Sequence, residues 1–135
     1  MKRILSVLTV ILFTAGIVCA QQKEAAITVV DSASYDFGII NEEDGPASCT
    51  FTVMNSGELP LVISRVVPSC GCTTPDWTKE PIAPGKTGDI KVTFNPQGRP
   101  GKFVKTINVY SNGKANGSYL LTIRGNVVSA GQAEK

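Results

Sequence analysis

The 135-residue chain contains no histidine. Ser-His-Asp and Cys-His nucleophile systems need an imidazole to carry the proton, so neither can be assembled. His-ligated copper and iron sites are excluded on the same ground. A zinc site would have to combine thiolates with a carboxylate or water, outside the usual Cys and Cys/His sets. Beyond Met1 the only thioether is Met54, too few for a methionine-rich copper site. Charge is sparse and balanced: 13 Lys and Arg stand against 11 Asp and Glu, with no basic stripe and no acidic tail. Nucleic acid is therefore not an expected partner, because clustered cations supply most of that affinity. No long stretch shows helical periodicity.

Two short patterns fail on their context. Gly85-Lys86-Thr87 ends like a phosphate-binding loop, but the required earlier glycine is replaced by Glu80. Asp36-Phe37-Gly38 matches a kinase metal-binding triplet in a chain too small for the rest of a kinase. The one acidic cluster, Glu42-Glu43-Asp44, precedes Gly45-Pro46 and reads as a solvated turn rather than an acid/base pair. Neither a catalytic residue nor a cofactor is expected.

The N-terminus sets the compartment. Met1-Lys2-Arg3 is followed by an apolar run from Ile4 to Val18, then Cys19-Ala20 before Gln21-Gln22. That is the layout of a secretory signal peptide over residues 1–20, cut between Ala20 and Gln21. The run is short of the roughly 20 residues needed to cross a bilayer, which argues against a membrane anchor. Bulky Val18 before Cys19 argues against an acylated cysteine. Removal of Lys2 and Arg3 leaves 11 basic residues against 11 acidic ones, a neutral mature chain of one domain's length. The expected destination is the periplasm or cell envelope, with secretion as a further option, and no membrane contact by the mature form.

From Ile27 onward, short runs alternate apolar and polar residues. Cys49-Thr50-Phe51-Thr52-Val53 and Ile90-Lys91-Val92-Thr93-Phe94 are the clearest. Period-two alternation with β-branched residues means half-buried strands. The predicted strands are 27–30, 35–40, 48–55, 61–67, 88–94, 103–110 and 118–128. They are separated by turn chemistry in "NSGELP", "APGKTG", "NPQGRPG" and "SNGKANGS". The fold class is all-β, a single antiparallel β-sandwich of about seven strands over residues 21–128. Its inward residues are predicted to be Phe37, Ile39, Phe51, Val53, Leu61, Ile63, Ile90, Val92, Phe94, Ile107, Val109, Leu121 and Ile123. Residues 129–135 form a small polar tail, expected to be disordered. Trp77, the only tryptophan, is expected to lie over one end of the core.

Four cysteines become three once Cys19 leaves with the leader, and Cys70-Gly71-Cys72 puts two of them one residue apart. An oxidising compartment favours disulfides, and an odd count leaves one thiol over. Cys49 shares the inward parity of Phe51 and Val53. A bridge from Cys49 to Cys70 or Cys72 would close a long loop and stabilise by on the order of 3 kcal/mol. Closing 70 to 72 restrains little and forces a small strained ring, the labile kind of disulfide. A structural bridge from Cys49 is the favoured reading. The alternative is a Cys70-Gly71-Cys72 site that cycles between dithiol and disulfide or holds a soft metal such as Cu(I).

Several segments together resemble a known family. "YDFGII" (35–40), "FTVMNSGELPLVI" (51–63), "PSCGCTTPDWTKEPIAPGKTGDIKVTFNPQGRPGKFVKTINVYSN" (68–112) and "LLTIRGNV" (120–127) resemble the exported bacterial domain-of-unknown-function family 1573. That family is common in Bacteroidota and also found in planctomycetes. The resemblance implies an immunoglobulin-like sandwich, export, and Cys70 and Cys72 as a landmark; it carries over no catalytic residue, and Cys49 falls in no family motif. Two modification patterns remain. Asp31-Ser32-Ala33 resembles the O-glycosylation signal of exported Bacteroidota proteins, with Ser32 as acceptor. Asn116-Gly117-Ser118 matches an N-glycosylation pattern, though Asn-Gly there has its own reason as a hairpin turn. The expected function is a non-catalytic adhesion or assembly module that meets an unidentified protein partner, with strand addition at sheet edges as one route.

Overall fold

The structure, a computed structural model, describes residues 22–114 and 117–129. Two four-stranded sheets face each other. The first has the order β1 (Ile27–Val29), β3 (Ala47–Asn55), β6 (Thr87–Phe94), β5 (Thr73–Trp77). The second has the order β2 (Ser34–Asn41), β8 (Ser118–Val128), β7 (Gly101–Ser111), β4 (Ile63–Pro68). The all-β sandwich is as expected. The leader and its cut at Ala20–Gln21, Asn116, and the tail beyond Ser129 lie outside the described residues. No helix among the described residues is long and apolar enough to cross a membrane.

The core forms where the alternating residues of both sheets meet. Phe51, Val53, Ile90, Val92 and Phe94 come from the first sheet; Ile63, Ile107, Val109, Leu121 and Ile123 come from the second. Each apolar side chain so buried contributes about 1.5–3 kcal/mol of transfer free energy. Phe94 reaches across to stack on Phe103, with ring centroids 4.0 Å apart.

Three features depart from the sequence reading. An eighth strand, β5, occupies "TTPDW", which carries turn residues and was expected to be loop. Its Pro75 is tolerated because β5 is an edge strand, where a missing N–H costs no ladder bond. The sandwich is also not wholly antiparallel. The chain crosses between sheets at residues 30–33, and β2 then runs parallel to β8. Lastly, Ile39 is 72% exposed and Ile40 takes its place in the core. The pairing with β8 slips between Asp36 and Ile39, at Gly38 with φ +66°, where the Asp36 carboxylate accepts the Gly38 N–H at 2.8 Å. A left-handed glycine adds one step to the strand and flips the parity of all that follows. Phe37, before the slip, stays half-buried against the core.

Candidate functional site

Cys70 and Cys72 are bonded to each other, with Cα atoms 5.3 Å apart, and Cys49 is a free, buried thiol. This corrects the expected bridge from Cys49. The reason is the strand order: β6 lies between β3 and β5. Cys49 sits opposite Val92, and the Cys72 carbonyl accepts the Asn95 N–H from the far side of β6. Two strand spacings laterally and three residues along put Cys49 and Cys72 about 14 Å apart, twice the reach of a disulfide. Cys70, close beside Cys72, can come no nearer to Cys49 than roughly 8–9 Å. Burial pushes the Cys49 thiol up to about 11 from 9.0, so it stays protonated and unreactive at neutral pH.

The Cys70–Cys72 turn caps β5. Thr73 is 3% exposed; its hydroxyl lies 3.8 Å from the Cys70 sulfur and 3.7 Å from the Cys72 sulfur. Its N–H donates to the Cys70 carbonyl at 3.4 Å. In an antiparallel pair alternate residues bond to the partner strand, and the bonds at Cys72 and Thr78 fix that phase. Thr73, Pro75 and Trp77 therefore turn their main-chain groups to the open edge. Thr73 is tied to Cys70, Pro75 has no N–H, and Trp77 N–H donates to the Asp76 carboxylate at 3.0 Å. Every donor of this edge is thus spent or missing, which blocks strand addition there. Trp77 joins the two sheets, its indole N–H donating to the Ile63 carbonyl at 3.3 Å, with the Lys79 ammonium over its ring. It is half-buried against the core, as expected of a lid.

The outer faces of the two sheets differ in chemistry. On the first, the cross-strand rows are Ser48–Thr93–Thr74 and Thr50–Lys91–Asp76, with Thr52 beside Asp89. Hydroxyls pair there, Ser48 with Thr93 at 2.9 Å. On the second sheet the rows read Ile39–Asn126–Lys102, Asp36–Arg124–Val104 and Leu120–Asn108–Val67. Ile39 (72%), Val104 (65%), Leu120 (51%) and Val67 (41%) all stand exposed on this face. Around Ile39 and Val104 the surface is concave, about 360 Å³, lined also by Lys102, Arg124 and the Phe103–Gly125 pair. Arg124 donates to Asp36 at 3.0 Å. The Gly38 N–H, and then Arg124, hold the Asp36 carboxyl below its ordinary value of 3.8 against the opposing desolvation.

The remaining candidates are scattered. Glu42–Asp44 form one exposed 3-10 turn; Glu42 accepts the Gly98 N–H at 2.7 Å and Asp44 accepts from Asn41 at 3.1 Å. The cluster is a tied surface turn, as the sequence implied. Ser32 is exposed on the crossing between sheets, its hydroxyl accepting the Ser34 N–H at 3.1 Å. Among the described residues, no group of three or more His, Cys, Asp or Glu side chains could hold a metal ion. Sequence reasoning missed the exposed apolar face. The signal was present in Val104 and Leu120, which fall on the polar parity of their strands; Val67 shares the parity of Ile63 and reaches the outer face through the slip in pairing between Ile63 and Arg65.

Solved structures share the architecture at low identity. A protein of unknown function from Porphyromonas gingivalis W83 matches with a TM-score of 0.66 at 14% identity, over 77% of this chain and 47% of its own. The chain thus spans about half the length of that protein. The ASH/PapD-like domain 7 of human CEP192 matches with a TM-score of 0.59 at 12% identity, over 79% of this chain and 88% of its own. The VesB protease of Vibrio cholerae matches at 0.55 and 17% identity, over 77% of this chain and 31% of its own. These likenesses are of fold. No curated protein matches the sequence. The pattern of the family described as "Protein of unknown function (DUF1573)" matches residues 28–127, most of the chain, and the protein belongs to that family.

Proposed function

We propose that the protein is an exported, non-catalytic β-sandwich module of the periplasm or cell envelope that binds another protein through the outer face of the β2-β8-β7-β4 sheet. The observation that carries this reading is the contrast between the two outer faces. One is closed with hydroxyls and charges, while the other leaves Ile39, Val104, Leu120 and Val67 in water. Apolar side chains set between amides and charges on one face make the mixed surface of a protein interface, and they cost solubility if unused. Lys102, Arg124 and Arg65 outnumber Asp36 on this face. Its complement is an apolar protein surface rimmed by carboxylates. The capped β5 edge favours docking on the face over strand addition. The lack of histidine removes the imidazole-dependent nucleophile systems, and the balanced charge removes the basic stripe that nucleic acid needs.

The test places a photo-cross-linking residue at Val104 or, on the opposite face, at Thr50 in the producing cell. A discrete protein adduct from position 104 alone is the expected result. An adduct from position 50, or equal labelling of both, overturns the reading. The soft-metal alternative for Cys70 and Cys72 gains no support from a bonded pair, since a disulfide sulfur is not a thiolate ligand.

A further inference from the structure

We propose that Cys70–Cys72 is an exchange-competent disulfide, opened at the Cys70 sulfur by an external dithiol. Three observations converge on it. The bond spans a sequence separation of 2, so loop closure adds little to hold it oxidised. The two sulfurs differ in access: Cys72 is 4% exposed in the core, whereas Cys70 is partly exposed and Gly71 beside it is open. A Cβ placed on Gly71 meets nothing within 4 Å, so that side of the turn is clear for an approaching thiol. The third observation is the buried Thr73 hydroxyl, within hydrogen-bonding reach of both sulfurs. A leaving thiolate inside a core is disfavoured by desolvation, and a donor already in place offsets that penalty.

The chemistry balances as an ordinary exchange. A thiolate of the dithiol attacks the Cys70 sulfur and forms a mixed disulfide. The Cys70–Cys72 bond breaks, and its electron pair leaves on Cys72, where the thiolate accepts a hydrogen bond from Thr73 and then a proton from solvent. The second thiolate of the donor attacks its own sulfur in the mixed disulfide and expels the Cys70 thiolate, which is also protonated. The donor ends as a disulfide, and the protein gains two electrons and two protons. The fitting donor is an exported protein dithiol. Cys49, about 14 Å from Cys72, takes no part as a resolving thiol.

The experiment uses the native chain with dithiothreitol as the probe and counts thiols without denaturant. Low-millimolar dithiothreitol is expected to release two thiols while the protein stays folded and Cys49 silent. A bond that resists reduction until the chain unfolds overturns the proposal. Direction of attack is read from single variants. Cys72→Ser, with Cys70 left free, is expected to react with an aromatic disulfide reagent about tenfold faster than Cys70→Ser. Equal or reversed rates overturn it. Thr73→Val is expected to slow native reduction about tenfold, with Thr73→Ser restoring the rate. A packing role alone would leave the hydroxyl-bearing Ser variant no faster than Val. If the Val variant does not fold, the two cysteine variants still decide.

Discussion

Replacing Asn55 by alanine is expected to destabilise the protein by about 3 kcal/mol, although the residue touches no candidate site. Asn55 ends β3 with no exposure, and its amide joins three separate segments. Its nitrogen donates to the Leu59 carbonyl at 2.7 Å and the Ile82 carbonyl at 2.8 Å. Its oxygen accepts the Gly57 N–H at 2.9 Å and the Ala26 N–H at 3.4 Å. Ile82 keeps a second donor in the Leu61 N–H, but the Leu59 carbonyl and Gly57 N–H lose the partners the amide gave them. Water cannot replace the amide without entering the core. Gly57 adds to the constraint: a Cβ there would collide with the Glu24 carbonyl oxygen and lie 2.5 Å from the Ala26 nitrogen. Thermal unfolding should show a fall in Tm of roughly 10–20 °C. Asn55→Asp keeps the acceptor but not the donor and buries a carboxylate, so it should be at least as damaging. A Tm within a few degrees of the parent for both variants would contradict this account of the corner.

Phe94→Ala is expected to cost about 3–5 kcal/mol. Phe94 is fully buried on β6, flanked in register by the smaller Ala47 and Thr73, so its ring is the bulk of its row in the first sheet. It stacks on Phe103 with planes 16° apart. Phe103 in turn fits over Gly125, where a Cβ would come within 2.9 Å of its ring. Phe103→Ala should cost less, because that ring is only partly buried. Urea unfolding of both single variants and the double variant should give a coupling of about 1 kcal/mol between the rings. Strict additivity would mean that the stacking adds nothing beyond area burial.

Much of the sandwich was readable because its strands are half-buried, so period two is written directly into the chain. Ile90, Val92 and Phe94 are inward as the alternation requires, and so are Ile107, Val109, Leu121 and Ile123. Elsewhere the pattern failed for identifiable reasons. Gly38 looks like one more position in an alternating run, yet its left-handed backbone moved Ile39 to solvent. "TTPDW" hid a strand because an edge can hold Pro and Asp that a central strand cannot. Asn55 looked like turn chemistry in "NSGELP", since nothing in sequence marks an acceptor 27 residues away. The cysteine pairing depended on which strand lies between β3 and β5, a fact of sheet order that no spacing along the chain encodes. The outer apolar face was visible only as residues on the wrong parity, and such exceptions gain meaning once the rows of both sheets are aligned.

The central claim is that Ile39, Val104 and Leu120 stay apolar for a partner and not for the fold. It is tested by the Ile39→Lys, Val104→Lys, Leu120→Lys triple variant, carrying a photo-cross-linking residue at Val67 and measured for both Tm and adduct. Exposed positions outside the core tolerate substitution within about 0.5 kcal/mol each, so Tm should hold within a few degrees while the adduct disappears. An adduct of undiminished yield, or a collapse of Tm, would contradict the claim.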